Sequence, residues 1–202
     1  EKDTLITIKA IEDALNGERE RYGEDEYIAL DPSRKGNDPA AFVYRKGNYA
    51  KVLEVIDKTE TMHLAGRSIH WMREYPEAQF RIDLIGVGAG IFDRLREQPS
   101  VADRVEGVNV AMPAQNKEHF LNLRAEGWHA VQQWLKDAIL EPHSDWYELA
   151  APKYKLTSKG QMQLESKDEM KKRGVQSPNV GDAIALTFQE PTEGAFMAPI
   201  WI

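Results

Sequence analysis

The sequence predicts an α/β domain in which helices cover a mixed β-sheet. Two observations indicate this class: three strand patterns follow one another near the start, and later strand patterns alternate with helical ones. The third observation is size, because 202 residues with 42% hydrophobic content are enough to bury the core of one ordinary domain. The individual elements follow from local chemistry, taken in chain order.

The strand patterns are short runs of β-branched, aromatic and aliphatic residues bounded by turn residues. Five of them lie at 27–30, 40–44, 49–56, 80–85 and 105–112. The turn sequence Lys46-Gly47-Asn48 joins the second run to the third. Two further short strands, 154–156 and 162–164, flank Ser158-Lys159-Gly160 and predict a hairpin.

The helical patterns repeat apolar residues at spacings of three and four. They lie at 61–75, 91–96, 119–138, 146–149, 166–173 and 177–188, after a lead-in helix within residues 1–25. Ser177-Pro178 supplies an N-cap and a first helical residue for the last helix. We therefore divide the chain into a lead-in helix and linker (1–25), one folded domain (26–188) and a C-terminal tail (189–202).

The composition excludes several kinds of site. The chain has no cysteine, which rules out disulfides, thiolate metal ligands and cysteine nucleophiles. No apolar run approaches the roughly 18 residues that a membrane span needs, so we expect no membrane partner. The five histidines form no HxxxH or HExxH pair, which argues against zinc. A net charge of −7 argues mildly against a nucleic-acid partner. Between residues 153 and 173, however, the sequence has seven basic residues and only three acidic ones.

A glycine-rich segment, Gly86-Val87-Gly88-Ala89-Gly90, lies between a predicted strand and a predicted helix, where a dinucleotide-binding fingerprint would be found. The spacing differs from that fingerprint, because Ile91 stands where a glycine is required. We expect these glycines to allow a close backbone approach, either to a phosphate or to a packed helix. A dinucleotide-binding oxidoreductase is the most distant alternative.

Three aspartates stand at the ends or edges of apolar runs. Asp31 ends a strand pattern, Asp83 lies inside another, and Asp182 opens an apolar helical stretch. Taken singly, each fits a turn residue or a surface ion pair, but three buried carboxylates are costly unless a cation neutralises them. If the first and fourth strands are neighbours, Asp31 and Asp83 stand side by side, and a helix across that edge adds Asp182. This arrangement predicts a site for Mg²⁺ or Mn²⁺, in which two ions hold a phosphodiester for attack by water.

Several segments resemble, in the same order, the nuclease domains of large terminase subunits from tailed bacteriophages. They are residues 28–38, 82–90, 122–128 (Asn-Leu-Arg-Ala-Glu-Gly-Trp), 165–174, Ser177-Pro178 and Asp182-Ala183. The resemblance covers most of residues 26–188. It implies a ribonuclease H-like fold and an endonuclease that cuts concatemeric double-stranded viral DNA during genome packaging, in the cytoplasm of the infected bacterial host.

The resemblance also implies which residues act. Asp31, Asp83 and Asp182 would be the catalytic metal ligands for two Mg²⁺ or Mn²⁺ ions, and Asp38 falls near a position that sometimes assists. Family members often carry an acid at the position of Gly181 or two residues before it. An auxiliary ligand beside Asp182 is therefore lacking in this chain.

The implied partners are double-stranded DNA, an N-terminal ATPase domain of the same full-length chain, the portal and the small terminase subunit. The chain opens at Glu1 without a methionine and contains no GxxxxGK[ST] phosphate loop. Both features agree with a fragment that lacks such an ATPase domain.

Four lysines, Lys153, Lys155, Lys159 and Lys167, are our candidates for contacts with DNA phosphates. The alternative is a solvated lysine-rich hairpin with no ligand. Two rival functions stay open: a structure-selective nuclease of the same fold, such as a Holliday-junction resolvase, and a non-catalytic module that docks on DNA or on a portal.

Overall fold

The computed structural model describes residues 3–32, 38–57 and 60–192. The strands are β1 (Glu26–Asp31), β2 (Ala40–Lys46), β3 (Tyr49–Ile56), β4 (Gln79–Asp83), β5 (Val105–Val108), β6 (Ile139–Leu140), β7 (Tyr154–Leu156) and β8 (Met162–Leu164). The helices are α1 (Ile8–Asn16), α2 (Thr61–Glu74), α3 (Gly88–Arg96), α4 (Leu123–Trp134), α5 (Lys167–Lys172) and α6 (Asn179–Leu186), with 3-10 helices at Ala102–Arg104 and Ser144–Ala150.

Six strands form one mixed sheet in the order β5-β4-β1-β2-β3-β6. β1 lies in its middle, antiparallel to β2 and parallel to β4. Leu30 pairs with Ile82 across β1 and β4, so the next residue of each strand, Asp31 or Asp83, lies at the same edge of the sheet. The strands that carry Asp31 and Asp83 are therefore neighbours, as the predicted metal site needs.

Both faces of the sheet are covered by helices, and β2 shows how its residues alternate between them. Ala41 and Val43 point to one core, which α1, α4 and α6 complete. Phe42 and Tyr44 point to the other, which α2 and α3 complete. This period of two, apolar on both sides, is what a strand covered on both faces requires.

α6 is the most deeply buried helix of the site. It packs on β1, β2 and α4, and seven of its eight residues are buried. Asp182 is the exception, half-buried in the first turn. Because neighbours fix the whole helix, the direction in which Asp182 points is set by packing rather than by a mobile loop.

Several predicted boundaries are wrong, and side-chain hydrogen bonds explain two of them. The predicted helix 119–138 begins only after Asn122, whose side chain accepts a hydrogen bond from the backbone N–H of Ala125 and so caps α4. The predicted strand 105–112 stops at Val108, because the side chain of Asn109 accepts from Ala111 N–H and forms a turn.

The last helix begins at Asn179, one residue after the predicted first helical residue, Pro178. Pro178 occupies the N-cap position of α6, and its side chain makes no capping hydrogen bond. The predicted hairpin is present, since β7 and β8 pair antiparallel across residues 157–161. The two-residue strand β6 was not predicted.

The segment before the sheet packs on the same molecule. Ile11 and Ala14 of α1 are buried, and the backbone N–H of Asn48 donates to Tyr22 O. The boundaries predicted at 25/26 and 188/189 stay predictions. Residues 33–37 of the predicted first motif, and residues 193–202 of the predicted tail, lie outside the described residues. In the described part of the chain, no helix is long and apolar enough to cross a membrane.

Candidate metal centre

The three aspartates line one cavity at the edge of the sheet. Asp31 and Asp83 end the parallel neighbours β1 and β4, and Asp182 reaches the cavity from the first turn of α6. The cavity has a volume of about 230 Å³. The structure thus brings together three carboxylates that are more than 50 residues apart in sequence.

Asp31 is the most deeply placed of the three, with 3% of its surface exposed. Its Oδ2 accepts a hydrogen bond from Nζ of Lys167 at 2.9 Å. Burial raises the pKa of the Asp31 carboxyl, and the opposing effect of the Lys167 ammonium does not fully offset it. A carboxylate held this way gains from any further positive charge that enters the cavity.

Asp83 has the least compensation for its charge. Its Oδ1 accepts one hydrogen bond, from the backbone N–H of Ile85 at 3.0 Å. Burial, followed by the charge of Asp31, raises the pKa of Asp83 to about 7. Near neutral pH, Asp83 is therefore the carboxyl that a proton and a metal ion would compete for.

The glycines after β4 allow α3 to start directly behind Asp83. A Cβ on Gly88 would lie 1.7 Å from the carbonyl oxygen of Asp83, so no other residue fits there without moving backbone. Gly86 has a φ of +70°, which favours glycine. The close approach at Gly88 is between the start of α3 and the end of β4.

Asp182 is held by three donors. Its Oδ1 accepts from Nε of Arg124 at 2.9 Å and from Nε1 of Trp128 at 2.8 Å. Its Oδ2 lies 3.2 Å from Nζ of Lys167. Burial alone would raise its pKa, but the charges of Arg124 and Lys167 outweigh burial and lower the pKa to about 2.

Lys167 does not lie with the other candidate DNA-binding lysines. Its Nζ is between Asp31 and Asp182, with Oδ1 of Asn179 at 3.3 Å. Ser166 caps α5 through a capping box with Glu169, and the first residue of that helix turns inward over the cavity. Although burial would lower its pKa, the two carboxylates raise it, so Lys167 carries its proton throughout the physiological range.

The other three lysines are exposed around the hairpin of β7 and β8. Lys153 precedes β7, Lys155 lies in it, and Lys159 lies in the turn. Lys155 forms an ion pair with Glu169 at 3.1 Å. The charge of these three lysines is therefore partly neutralised, and none of them lines the cavity.

Asp38 is separate from the aspartate cluster. Its Oδ2 accepts a hydrogen bond from Oγ of Ser177 at 3.1 Å, and it is not one of the residues that line the cavity. The structure gives it a role in joining the start of β2 to the segment before α6. The serine expected to cap α6 is therefore engaged elsewhere.

Sequence reasoning missed three residues that shape the site. Arg124 and Trp128 are four positions apart on α4, so one face of that helix supplies both donors to Asp182. Glu148 accepts from the backbone N–H of Val180 at 2.9 Å and so satisfies one free N–H in the first turn of α6. Burial raises the pKa of Glu148 to about 7. The i, i+4 spacing of Arg124 and Trp128 was a readable signal, whereas Glu148 had none.

The donor set fits a hard divalent cation. Carboxylate oxygens are the ligands that Mg²⁺ and Mn²⁺ prefer, and the ammonium of Lys167 already marks a cation position between Asp31 and Asp182. Within residues 3–32, 38–57 and 60–192, no group of three acidic, histidine or cysteine side chains is arranged to hold one ion. Asp31, Asp83 and Asp182 are the residues of this cavity that would hold such a cation.

The fold is similar to that of phage large terminase nuclease domains in solved structures. The nuclease domain of the large terminase subunit of bacterial virus Sf6 matches with a TM-score of 0.73 and 20% identity, over 93% of this chain and 99% of that one. A variant of the same Sf6 domain with manganese matches with a TM-score of 0.73 and 18% identity, over 93% and 99%. The large terminase nuclease of thermophilic phage G20c with bound magnesium matches with a TM-score of 0.64 and 16% identity, over 93% and 97%.

These matches confirm the predicted resemblance and the predicted ribonuclease H-like α/β fold. No family model matches the sequence, and no curated protein matches it. At such low identities the likeness is one of fold. What the chain does must be argued from its own site.

Proposed function

We propose that this chain is a metal-dependent endonuclease that cuts double-stranded DNA. The observation that carries the proposal is the meeting of Asp31, Asp83 and Asp182 in one cavity, from two adjacent strands and a buried helix. When all three carboxylates are ionised, the two half-buried cations Lys167 and Arg124 leave one negative charge unmatched. The solved neighbours that contain manganese or magnesium are nuclease domains, which supports the same chemistry here.

The residues divide the work by position. Asp31 would contact both ions, with Asp83 and Asp182 each completing one pair. Bound divalent ions supply charge neutralisation, an activated water and stabilisation of the leaving oxygen of a phosphodiester. Lys167 stays protonated and can donate a hydrogen bond to a phosphate oxygen in the cavity. Arg124 and Trp128 hold Asp182 in place.

The partners follow from the same proposal. Exposed Lys153, Lys155 and Lys159 would contact phosphates of the duplex beside the cavity. We further propose genome packaging as the setting, in the cytoplasm of an infected bacterium. An N-terminal ATPase domain, a portal and a small terminase subunit are the corresponding proposed partners.

Incubation with supercoiled plasmid tests the activity directly. We expect nicking with Mn²⁺ or Mg²⁺ and none with chelator. Asp31→Asn should lower the rate by roughly a thousandfold, since it removes the carboxylate shared by both ion pairs. Asp93→Asn, an exposed aspartate on α3, is the matched control and should cut normally.

Three outcomes would contradict or redirect the proposal. No nicking with either metal, at high protein and low salt, would contradict nuclease activity for this chain. Cutting confined to four-way junctions would favour a structure-selective resolvase. Duplex binding without metal-dependent cutting would favour a docking module.

A further inference from the structure

The two oxygens of Asp182 have different surroundings. Oδ1 accepts two hydrogen bonds, from Nε of Arg124 and from Nε1 of Trp128. Oδ2 faces the cavity, where Nζ of Lys167 lies at 3.2 Å and the second guanidinium nitrogen of Arg124 at 3.4 Å. Because one carboxylate oxygen has about two lone-pair directions, Oδ1 has no capacity left for another partner.

Neither donor to Oδ1 is free to move away. The remaining terminal nitrogen of Arg124 donates to Glu165 O at 2.8 Å, which ties the guanidinium to the segment before α5. Trp128 is fully buried. Its ring lies against Gly181, where a Cβ would come within 2.5 Å of Cη2. The hydrogen bonds to Oδ1 are thus fixed by packing before any ligand arrives.

A cation that takes the place of Nζ of Lys167 would therefore find one oxygen of Asp182, Oδ2, available. Mg²⁺ requires a near-ideal octahedron and is suited by ligands that each give one oxygen. Ca²⁺ takes six to eight oxygens, often two from the same carboxylate. The surroundings of Asp182 therefore discriminate between the two ions by coordination number.

We propose that Arg124 and Trp128 are positioning residues that restrict Asp182 to single-oxygen coordination, and that this restriction favours Mg²⁺ over Ca²⁺. The inference rests on the proposed function, because it needs a divalent ion at Asp182. It goes further by assigning the choice of ion to two residues of α4 that donate hydrogen bonds to Asp182. The close contact with Gly181 belongs to the same device, since it holds the Trp128 ring against α6.

The test uses two tryptophans that differ only in what their N–H contacts. Trp128→Phe keeps an aromatic ring in the core and deletes the donor to Asp182. Trp146→Phe is the matched control, because Trp146 is also fully buried but donates to the carbonyl of Glu141 at 2.9 Å. The dissociation constants of Mg²⁺ and of Ca²⁺ are measured by calorimetry on each whole chain without DNA.

We expect Trp128→Phe to weaken Mg²⁺ binding by about tenfold, as losses of ligand-orienting hydrogen bonds do. Ca²⁺ binding should stay within about twofold, because the freed Oδ1 becomes available to the larger ion. Trp146→Phe should leave both constants unchanged. Should Trp128→Phe fail to fold, Arg124→Lys decides by the same ratio, since it keeps the charge and loses the two-nitrogen contact.

The possible failures separate from one another. If the wild-type chain binds neither ion, the proposed metal centre is wrong and this inference falls with it. If the wild type binds Mg²⁺ but the variant weakens both ions equally, or changes neither, the inference alone is overturned. A control variant that shifts the ratio as much as Trp128→Phe would also overturn it.

Discussion

The two ends of α6 treat buried charge in opposite ways. At the C-terminal end, Arg45 and Arg81, only 4% and 5% exposed, point their guanidinium groups at the last carbonyls of the helix. Arg45 donates to the hydroxyl and the carbonyl of Thr187 at 2.8 and 3.1 Å, and Arg81 reaches the same carbonyl at 3.1 Å. Near the N-terminal end, Asp182 joins two other carboxylates around an open cavity.

The difference separates a structural use of charge from a functional one. Cations at a helix C-terminus meet the negative end of its dipole and satisfy free carbonyls. Arg81 is further matched by Glu106 at 2.7 Å, and Arg45 by Asp25 at 2.8 Å. Near the N-terminal end of α6, the three carboxylates keep a surplus negative charge beside the cavity. This charge is stable only if protons or cations enter the cavity.

The largest expected effect is the pH dependence of stability at the carboxylate end, measured with chelator present. The pKa of Asp83 rises from 3.8 to about 7 on folding, which corresponds to at most about 4 kcal/mol. The folded protein thus keeps a proton that the unfolded chain loses, so this contribution falls as pH rises from about 4 to about 7 and is constant above.

Denaturant unfolding of Asp83→Asn between pH 4 and 8 checks this sign. The variant should be flatter with pH than wild type, and more stable than wild type at pH 8. Glu148→Gln should remove a further part of the slope, since the pKa of Glu148 is also raised to about 7. Identical slopes in wild type and both variants would contradict the assignment.

The next largest effect lies at the arginine end. Arg45→Met keeps an unbranched stem but removes hydrogen bonds to Thr187 and to the carbonyl of Gly47. We expect a loss of about 3 kcal/mol in the free energy of unfolding, at about 1 kcal/mol for each bond. Chemical denaturation measures it.

The same variant sharpens the comparison between the two ends. Because Arg45 does not line the cavity, the stabilisation of Arg45→Met by a divalent ion should equal that of wild type. If this variant keeps its stability but loses its response to metal, the division between the two ends of the helix is wrong.

A smaller effect comes from the ions themselves. Mg²⁺ or Mn²⁺ at about 100 times its dissociation constant should stabilise the folded chain by about 2.7 kcal/mol, because it binds the folded state alone. Thermal melts with and without metal measure this. Asp31→Asn should fold normally and lose the response, and a variant that responds like wild type would remove Asp31 from the site.

The smallest effect concerns the exposed lysines. Lys159→Ala should weaken duplex binding a few-fold and reduce the salt slope of log K by about 1, if one phosphate contact is lost. The control is Lys51→Ala, which should bind as wild type does. The ammonium of Lys51 lies over the rings of Tyr44 and Tyr75. Equal salt slopes in both variants would leave the hairpin without a role in DNA binding.

The sequence predicted the sheet and the cluster of aspartates because both follow from local patterns. Asp31 ends one strand pattern and Asp83 lies inside another, and they were brought together by assuming that these two strands are neighbours, which the parallel pairing of β1 and β4 confirms. The hairpin around Gly160 followed from its turn chemistry, and that glycine indeed has a φ of +80°. Asn122 caps α4, but the long apolar pattern around it predicted an earlier start for this helix.

The features that the sequence did not reveal depend on tertiary contacts. Lys167 resembled its neighbours in a basic stretch, and no local pattern shows that the first residue of α5 turns toward Asp31. Glu148 acts through Val180, a pairing that only the packing of a 3-10 helix on α6 creates. The sign of each charge could be read from the sequence, but the pairs that the charged side chains form in the fold could not.

The most direct test of the central claim is a crystal of this chain soaked in Mn²⁺, with anomalous scattering recorded at the manganese edge. We predict peaks between Asp31 and Asp83 and between Asp31 and Asp182, with Nζ of Lys167 moved from its present position. Absence of peaks at saturating Mn²⁺, or peaks only at other carboxylates on the surface, would contradict the claim that these three aspartates form a metal centre.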